Sequence, residues 1–260
     1  VQDVIVITGA ANGIGWATAR RLAADGARVA LLDLCAHQVQ GRAQELGAAH
    51  LGLACDVTNE ASVREAVAAA HAHFGRINGL VNNAGIGDQS APTVLQSVDA
   101  FDRVLAVHVR GSYLMSRAVV QHMLQVQATA DGQRGAIVNI GSVAGIAGIP
   151  ARNAYSAAKA GIAGMTRAMA CEWARDGIRV NAVAPGYVQT ALVEELAAQG
   201  AIDMEGICRR SPIGRLARPE EIAHAIAFLL SVKASYVTGV QLPVDGGWTA
   251  AGCTDSALND

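Results

Sequence analysis

Seven short apolar runs of β character, separated by longer stretches of helical spacing, constrain the fold of this 260-residue chain more than any other feature. The runs are Val4 to Ile7, Ala27 to Leu32, Leu51 to Cys55, Gly79 to Asn82, Ala136 to Ile140, Arg179 to Val183 and Gly239 to Val244. An unbroken run such as VIVI marks a strand covered on both faces. Between the runs, helical spacing predicts helices over Ile14 to Ala24, His37 to Leu46, Glu60 to Phe74, Asp99 to Val126, Tyr155 to Arg175 and Pro219 to Ser231. Pro219 suits the first helical turn. Such alternation implies right-handed crossovers and an α/β architecture: a doubly wound parallel sheet of seven strands with helices on both faces. Ligands of such sheets lie beyond the carboxyl ends of the strands.

No linker divides the chain and no repeat is visible, so residues 1–248 are expected to form one domain, with 249–260 as a tail. A composition of 52% hydrophobic and 16% charged residues is ample for a buried core. The net charge of −2, with no basic run, gives no electrostatic case for nucleic acid or an anionic membrane as partner. No apolar run approaches the ~18 residues of a membrane span. The start, VQDVIVITG, has no signal-peptide pattern, although it lacks an initiator Met. Cys35, Cys55, Cys171, Cys208 and Cys253 are odd in number, scattered and free of C-x-x-C spacing. They argue against a metal site and a disulfide framework, and for a reducing cytoplasm.

Glycines gather where the first run meets the first helix, in Thr8-Gly9-Ala10-Ala11-Asn12-Gly13-Ile14-Gly15. They allow a tight turn and a close backbone approach to a pyrophosphate at a helix N-terminus, which points to a dinucleotide. Asp33 ends the second strand, where a carboxylate accepts from the adenosine ribose hydroxyls and repels a 2′-phosphate. Asn12 leaves no cation at its own position, and both residues favour NAD over NADP. Asp56-Val57 ends the third strand and suits the adenine edge and face. Asn83-Ala84-Gly85 follows the fourth, and Pro185-Gly186, leading to Tyr187, Val188 and Thr190, ends the sixth near the nicotinamide end.

The stretch Ser142 to Lys159 carries a hydroxyl, a phenol at Tyr155 and an ammonium. Residues four apart on a helix are neighbours, so Tyr155 and Lys159 share a face. A nearby ammonium favours the phenolate and would suit Tyr155 to general-base chemistry. Only two lysines occur against eighteen arginines, which makes Lys159 harder to dismiss as surface filler.

In this order, TGAANGIG, CDV, NNAG, Ser142, YSAAK, RVNAVAPG and VTGVQLPVDGG resemble the short-chain dehydrogenase/reductase family from Val4 to Trp248. The resemblance implies a Rossmann-like fold and cofactor contacts from Gly9, Asn12, Gly13, Ile14, Gly15, Asp33, Asp56, Val57, Asn83, Ala84, Gly85, Pro185, Gly186, Val188 and Thr190. Tyr155 would be the acid/base, Ser142 would hold the substrate oxygen, and Lys159 would lower the Tyr155 pKa and bind the nicotinamide ribose. His108 stands where the family usually has an Asn whose backbone carbonyl carries a relay water. It reads as a tolerated substitution or as an altered proton relay. A homotetramer built on the long helices is implied, with the Trp248 end serving a second interface.

The leading expectation is an NAD-dependent enzyme interconverting a small secondary alcohol, such as a polyol, and its ketone. A 3-hydroxyacyl thioester dehydrogenase or 3-oxoacyl reductase is the alternative. A dinucleotide-binding sensor without turnover is the alternative of another class. The substrate side is expected along Ser142 to Pro150 and Tyr187 to Ser211.

Overall fold

The computed structural model describes residues 3–198 and 202–252. Seven parallel strands form one sheet in the order β3-β2-β1-β4-β5-β6-β7. They are β1 (Val4–Thr8), β2 (Arg28–Asp33), β3 (Leu51–Ala54), β4 (Gly79–Asn82), β5 (Gly135–Ile140), β6 (Ile178–Pro185) and β7 (Gln241–Val244). The chain begins at β1 in the middle, winds outward to β3, then returns to build the other half from β4. The switch lies between β1 and β4, where a ligand crevice opens. β1, β4 and β6 are buried along their whole lengths, as their apolar runs require.

Helices cover both faces and divide the core in two. On one side α1 (Gly13–Ala24), α2 (Ala36–Leu46) and α9 (Pro219–Leu230) pack with Ile5, Ile7, Leu31 and Val183. On the other, α3 (Glu60–Phe74), the long-helix region and α6 (Asn153–Trp173) pack with Val4, Val6, Leu80 and Ile137. Asn59 starts α3 by accepting from the amides of Ala61 and Ser62.

The helical region expected from Asp99 to Val126 is continuous from Val98 to Met123 but changes its winding midway. α4 (Val98–Leu105) passes through a π-helical turn over Ala106–Arg110 into α5 (Gly111–Met123). Close packing explains the place: a Cβ on Gly111 would lie 2.9 Å from Val57 Cγ2, so α5 seats directly on the loop after β3. The extra residue of a π-turn then re-aims the preceding side chains, among them His108. Two helices lie in the stretch expected to line the substrate side, α7 (Ala191–Ala198) and α8 (Met204–Arg210). Residues 199–201 of that stretch, Cys253 and most of the expected tail lie outside the described residues.

A buried polar cluster ties the sheet to the helices behind the crevice. Asn82 and Asn139 face each other across β4 and β5. Asn82 Nδ2 donates to Asn139 Oδ1 at 2.8 Å and to Ser116 Oγ at 2.9 Å, while Asn139 Nδ2 donates to Thr166 Oγ1 at 2.9 Å. One sheet position thus holds α5 and α6 together.

Candidate active site

Strand-end loops and the start of α6 surround a cavity of about 620 Å³. Its wall joins Ile14 of the glycine turn, Asn83 and Gly85 after β4, and Ser142 after β5. It continues through Tyr155 and Lys159 of α6 to Pro185, Gly186, Val188 and Thr190 after β6. Residues as far apart in the chain as Ile14 and Trp248 therefore share one space, as expected for the carboxyl edge of the sheet.

The glycine turn is built for close approach. Gly9 and Gly13 have φ of +62° and +55°, which glycine adopts without a Cβ penalty. A Cβ on Gly15 would fall 2.2 Å from Gly9 O, so no larger residue fits there without moving backbone. Asn12 precedes α1 in extended conformation and makes no side-chain capping bond, which suits first-turn amides to an anion. Asn83 braces the turn, its Nδ2 donating to Thr8 O at 3.0 Å and Gly9 O at 2.9 Å. Thr8 Oγ1 accepts from the amides of Asn83 and Ala84. These residues fit the diphosphate of a dinucleotide.

At the end of β2, Asp33 accepts from the amide of Ala11 at 3.2 Å and of Leu34 at 2.8 Å, which fixes its carboxylate beside the turn. Asp56 is partly engaged, with Oδ1 accepting from the amide and hydroxyl of Thr58. Asn12 itself brings no cation, but α2 does. Arg42 lies over the Trp16 ring at 4.6 Å and donates through Nε to Ala11 O at 3.1 Å. Its position 31 residues along the chain hid this guanidinium from sequence reasoning.

Ser142, Tyr155 and Lys159 converge at the cavity. Ser142 is buried and its Oγ accepts from the Ala144 amide at 3.1 Å. Burial pushes the Tyr155 phenol above its ordinary range, against downward pulls from a hydrogen bond with Ser142 and the charge of Arg152. Burial also draws Lys159 down to about 7. Its Nζ donates to Ile140 O at 2.7 Å and lies 5.3 Å from the Tyr155 ring centroid. The shift of the phenol is set by burial, opposed by Ser142 and Arg152 and reinforced by Tyr187.

His108 is buried, and its ring stands edge-on to Tyr155 with centroids 5.3 Å apart. Its Nε2 lies 2.9 Å from Ile86 O and 3.2 Å from Ile86 N. Gly85 makes room for the ring, since a Cβ there would fall 2.5 Å from Cε1. Burial and the Lys159 charge hold the imidazole down to about 3, so the ring is neutral at ordinary pH. The His108 carbonyl accepts from Ser112 Oγ at 2.7 Å.

Three wall residues escaped sequence reasoning. Asp88 and Arg152 stand 64 positions apart and meet through Arg152 Nη1 donating to Asp88 O at 3.1 Å. Trp248, expected at a subunit interface, lines the cavity and packs on Tyr187 with ring centroids 5.2 Å apart. Single charged or aromatic residues in loops carry no spacing signal that would have found them. Among the described residues no group of three or more His, Cys, Asp or Glu is arranged to hold a metal ion. Nor, among them, is any helix long and apolar enough to cross a membrane.

Comparison with known proteins agrees with this geometry. The family model described as enoyl-(acyl carrier protein) reductase matches residues 9–249. Cis-4-hydroxycyclohexanecarboxylate dehydrogenase of Sinomonas cyclohexanicum is 47% identical over 96% of this chain and 97% of its own. D-threitol dehydrogenase of Mycolicibacterium smegmatis is 41% identical over 95% of this chain and 92% of its own. The crystal structure of 3-ketoacyl-(acyl-carrier-protein) reductase from Brucella melitensis complexed with NADH superposes with a TM-score of 0.87. It is 38% identical, covering 95% of this chain and 98% of that one. Cofactor turn, cavity and relatives together place the chain in the short-chain dehydrogenase/reductase family, as an oxidoreductase acting on CH–OH groups.

Proposed function

We propose that this chain is an NAD(H)-dependent dehydrogenase that interconverts a small secondary alcohol and its ketone, with Tyr155 as the acid/base. The observation that carries this reading is the convergence of Ser142, Tyr155 and Lys159 on the cavity that also reaches the glycine turn. When bound, the dinucleotide supplies the hydride acceptor or donor. Gly9 to Gly15, Asn83 to Gly85 and Pro185 to Thr190 hold it, with Asp33 at the adenosine ribose and Asp56 and Val57 at the adenine. In oxidation Tyr155 Oη takes the hydroxyl proton while Ser142 Oγ holds the carbinol oxygen in line. In reduction the protonated phenol returns that proton to the oxygen that was the carbonyl. Lys159 lies against the phenol and binds the nicotinamide ribose.

Asp33 supports NAD, because its fixed carboxylate repels a 2′-phosphate; the cation that could oppose it, Arg42, donates to Ala11 O and is paired with Glu45. The names of the relatives support cyclic and polyol alcohols as first substrates to test. An acyl-thioester reductase is the second reading, favoured by the superposition on a 3-ketoacyl reductase. A homotetramer is supported by exposed apolar residues at and just before the start of α4, Val94, Leu95 and Val98. Cys35, Cys55, Cys171 and Cys208 are free thiols, which supports a cytoplasmic setting.

The test is formation of NADH at its absorbance from a panel of polyols, cyclic alcohols and 3-hydroxyacyl thioesters, with NADP in parallel. Oxidation with NAD, lost in Tyr155→Phe by a factor of about 10²–10⁴, supports the reading. Binding of NAD without turnover on the whole panel supports a sensor instead, and preference for NADP removes the role given to Asp33.

A further inference from the structure

We propose that Arg152 anchors a carboxylate of the substrate, so that the alcohol taken by this site is a hydroxy acid whose carboxylate lies several bonds from the carbinol. The role presupposes the secondary-alcohol chemistry proposed above and narrows its substrate class.

Arg152 is three residues ahead of Tyr155 at the start of α6, and both line the same cavity. Arg152 is the N-cap residue of α6, outside the helical turn that carries Tyr155, and its charge acts on that phenol across the shared cavity. Ala151, just before it, has φ of +62° and is the one non-glycine residue with positive φ among the described residues. A left-handed alanine is strained by its Cβ, and it is held here by Gln96 Nε2, which donates to Ala151 O at 3.1 Å. Such strain gathers where a ligand contact depends on the backbone path.

The guanidinium has capacity to spare. Nη1 donates to Asp88 O, while among the described residues no carboxylate forms an ion pair with Arg152. Much of the surrounding wall is apolar, from Ile86, Ile149, Val193, Ile202, Ile207 and Trp248. A half-buried cation against such a wall gains from a matching anion, and its planar fork takes a carboxylate through two nitrogens.

The other charges of the wall are engaged. Lys159 donates to Ile140 O, Asp203 Oδ1 accepts from the Gly206 amide, and Asp88 Oδ2 accepts from the Tyr155 amide at 2.9 Å. Asp88 Oδ1 is buried without a partner and would suit a hydroxyl donor, which gives the rival outcome in the test. Burial raises both phenols of the cavity, Tyr155 and Tyr187, and the Arg152 charge pulls against it at each, so its field reaches both.

The test separates binding from turnover. Cyclohexanecarboxylate and cyclohexanecarboxamide, which lack a carbinol, are titrated calorimetrically against the protein saturated with NAD. We expect the acid to bind at least tenfold tighter than the amide, with Arg152→Gln reducing that ratio to within twofold and Arg152→Lys keeping part of it. Equal binding of acid and amide overturns the inference without any variant, as does a ratio that Arg152→Gln leaves intact. A neutral triol that outbinds the acid assigns the subsite to Asp88 and overturns it too. In parallel, 4-hydroxycyclohexanecarboxylate and cyclohexanol are compared as substrates. Oxidation of both with equal kcat/KM removes the anchor and leaves the dehydrogenase standing. Arg152-dependent binding with no alcohol of the whole panel oxidised keeps the anchor and removes the dehydrogenase reading.

Discussion

Burial draws Lys159 down to about 7 from an ordinary 10.5, so between those limits the unfolded chain holds a proton that the folded chain has released. More protons on the unfolded state mean that this group's contribution to stability rises with pH, from about 7 upward. Below 7 both states are protonated and the full penalty of burying the charge remains. Lys159→Met lacks that penalty, so its thermal midpoint relative to the parent chain should be higher at pH 6 than at pH 9. An offset equal at both values would show that Lys159 is well solvated. Tyr155 titrates the other way: its phenol is raised, so near neutrality it is protonated and set to donate. Oxidation should climb with pH through the Tyr155 titration while reduction falls over the same range. His108, held near 3, adds no ionisation of its own. Rate profiles of His108→Asn should keep the midpoint of the parent enzyme, and a midpoint moved by a full unit would place the imidazole in the relay.

At the scale of elements, the β1 turn and the start of α1 act as a unit because Gly15 abuts the carbonyl of Gly9. Gly15→Ala forces the helix away from the turn. Overpacking of this kind costs about 1–3 kcal/mol and should weaken NAD binding at least tenfold, read by calorimetry together with the thermal midpoint. The strands and most helices were legible because burial on both faces leaves unbroken apolar runs, as in VIVI, and because Pro219 and the glycine turn punctuate them. The π-turn at Ala106–Arg110 was not legible. Nothing in AVHVR interrupts helical spacing, and the close approach of Gly111 to Val57, some fifty residues earlier, is set by topology. Ser142, Tyr155 and Lys159 could be named because their spacing repeats a family pattern. Asp88, Arg152 and Arg42 could not, since only topology brings Asp88 to the start of α6 and Arg42 to the glycine turn.

For the whole molecule, the proposed tetramer and the active site make separate claims. Val98, at the head of α4, is 72% exposed, and Tyr113 of α5 is 46% exposed, on the helices expected to meet a second copy. Large apolar groups clustered at a surface mark association. Sedimentation velocity should give four times the chain mass, and Tyr113→Glu should shift it toward a smaller species. A monomer at micromolar concentration would reject the assembly while leaving the cavity chemistry untouched.

The cluster of Asn82, Ser116, Asn139 and Thr166 joins residues from two strands and two helices, its bonded pairs 27 to 57 positions apart along the chain. A one-residue slip of β5 against β4 would turn Asn139 to the opposite face and leave amide groups dry and unmatched. The cluster therefore works as a key for assembly. It can close only after β4, β5 and the two covering helices have met in register. Parallel sheets built from distant segments fold slowly and offer many near-native pairings. A polar lock at the centre penalises each wrong one before the crevice beyond it can form.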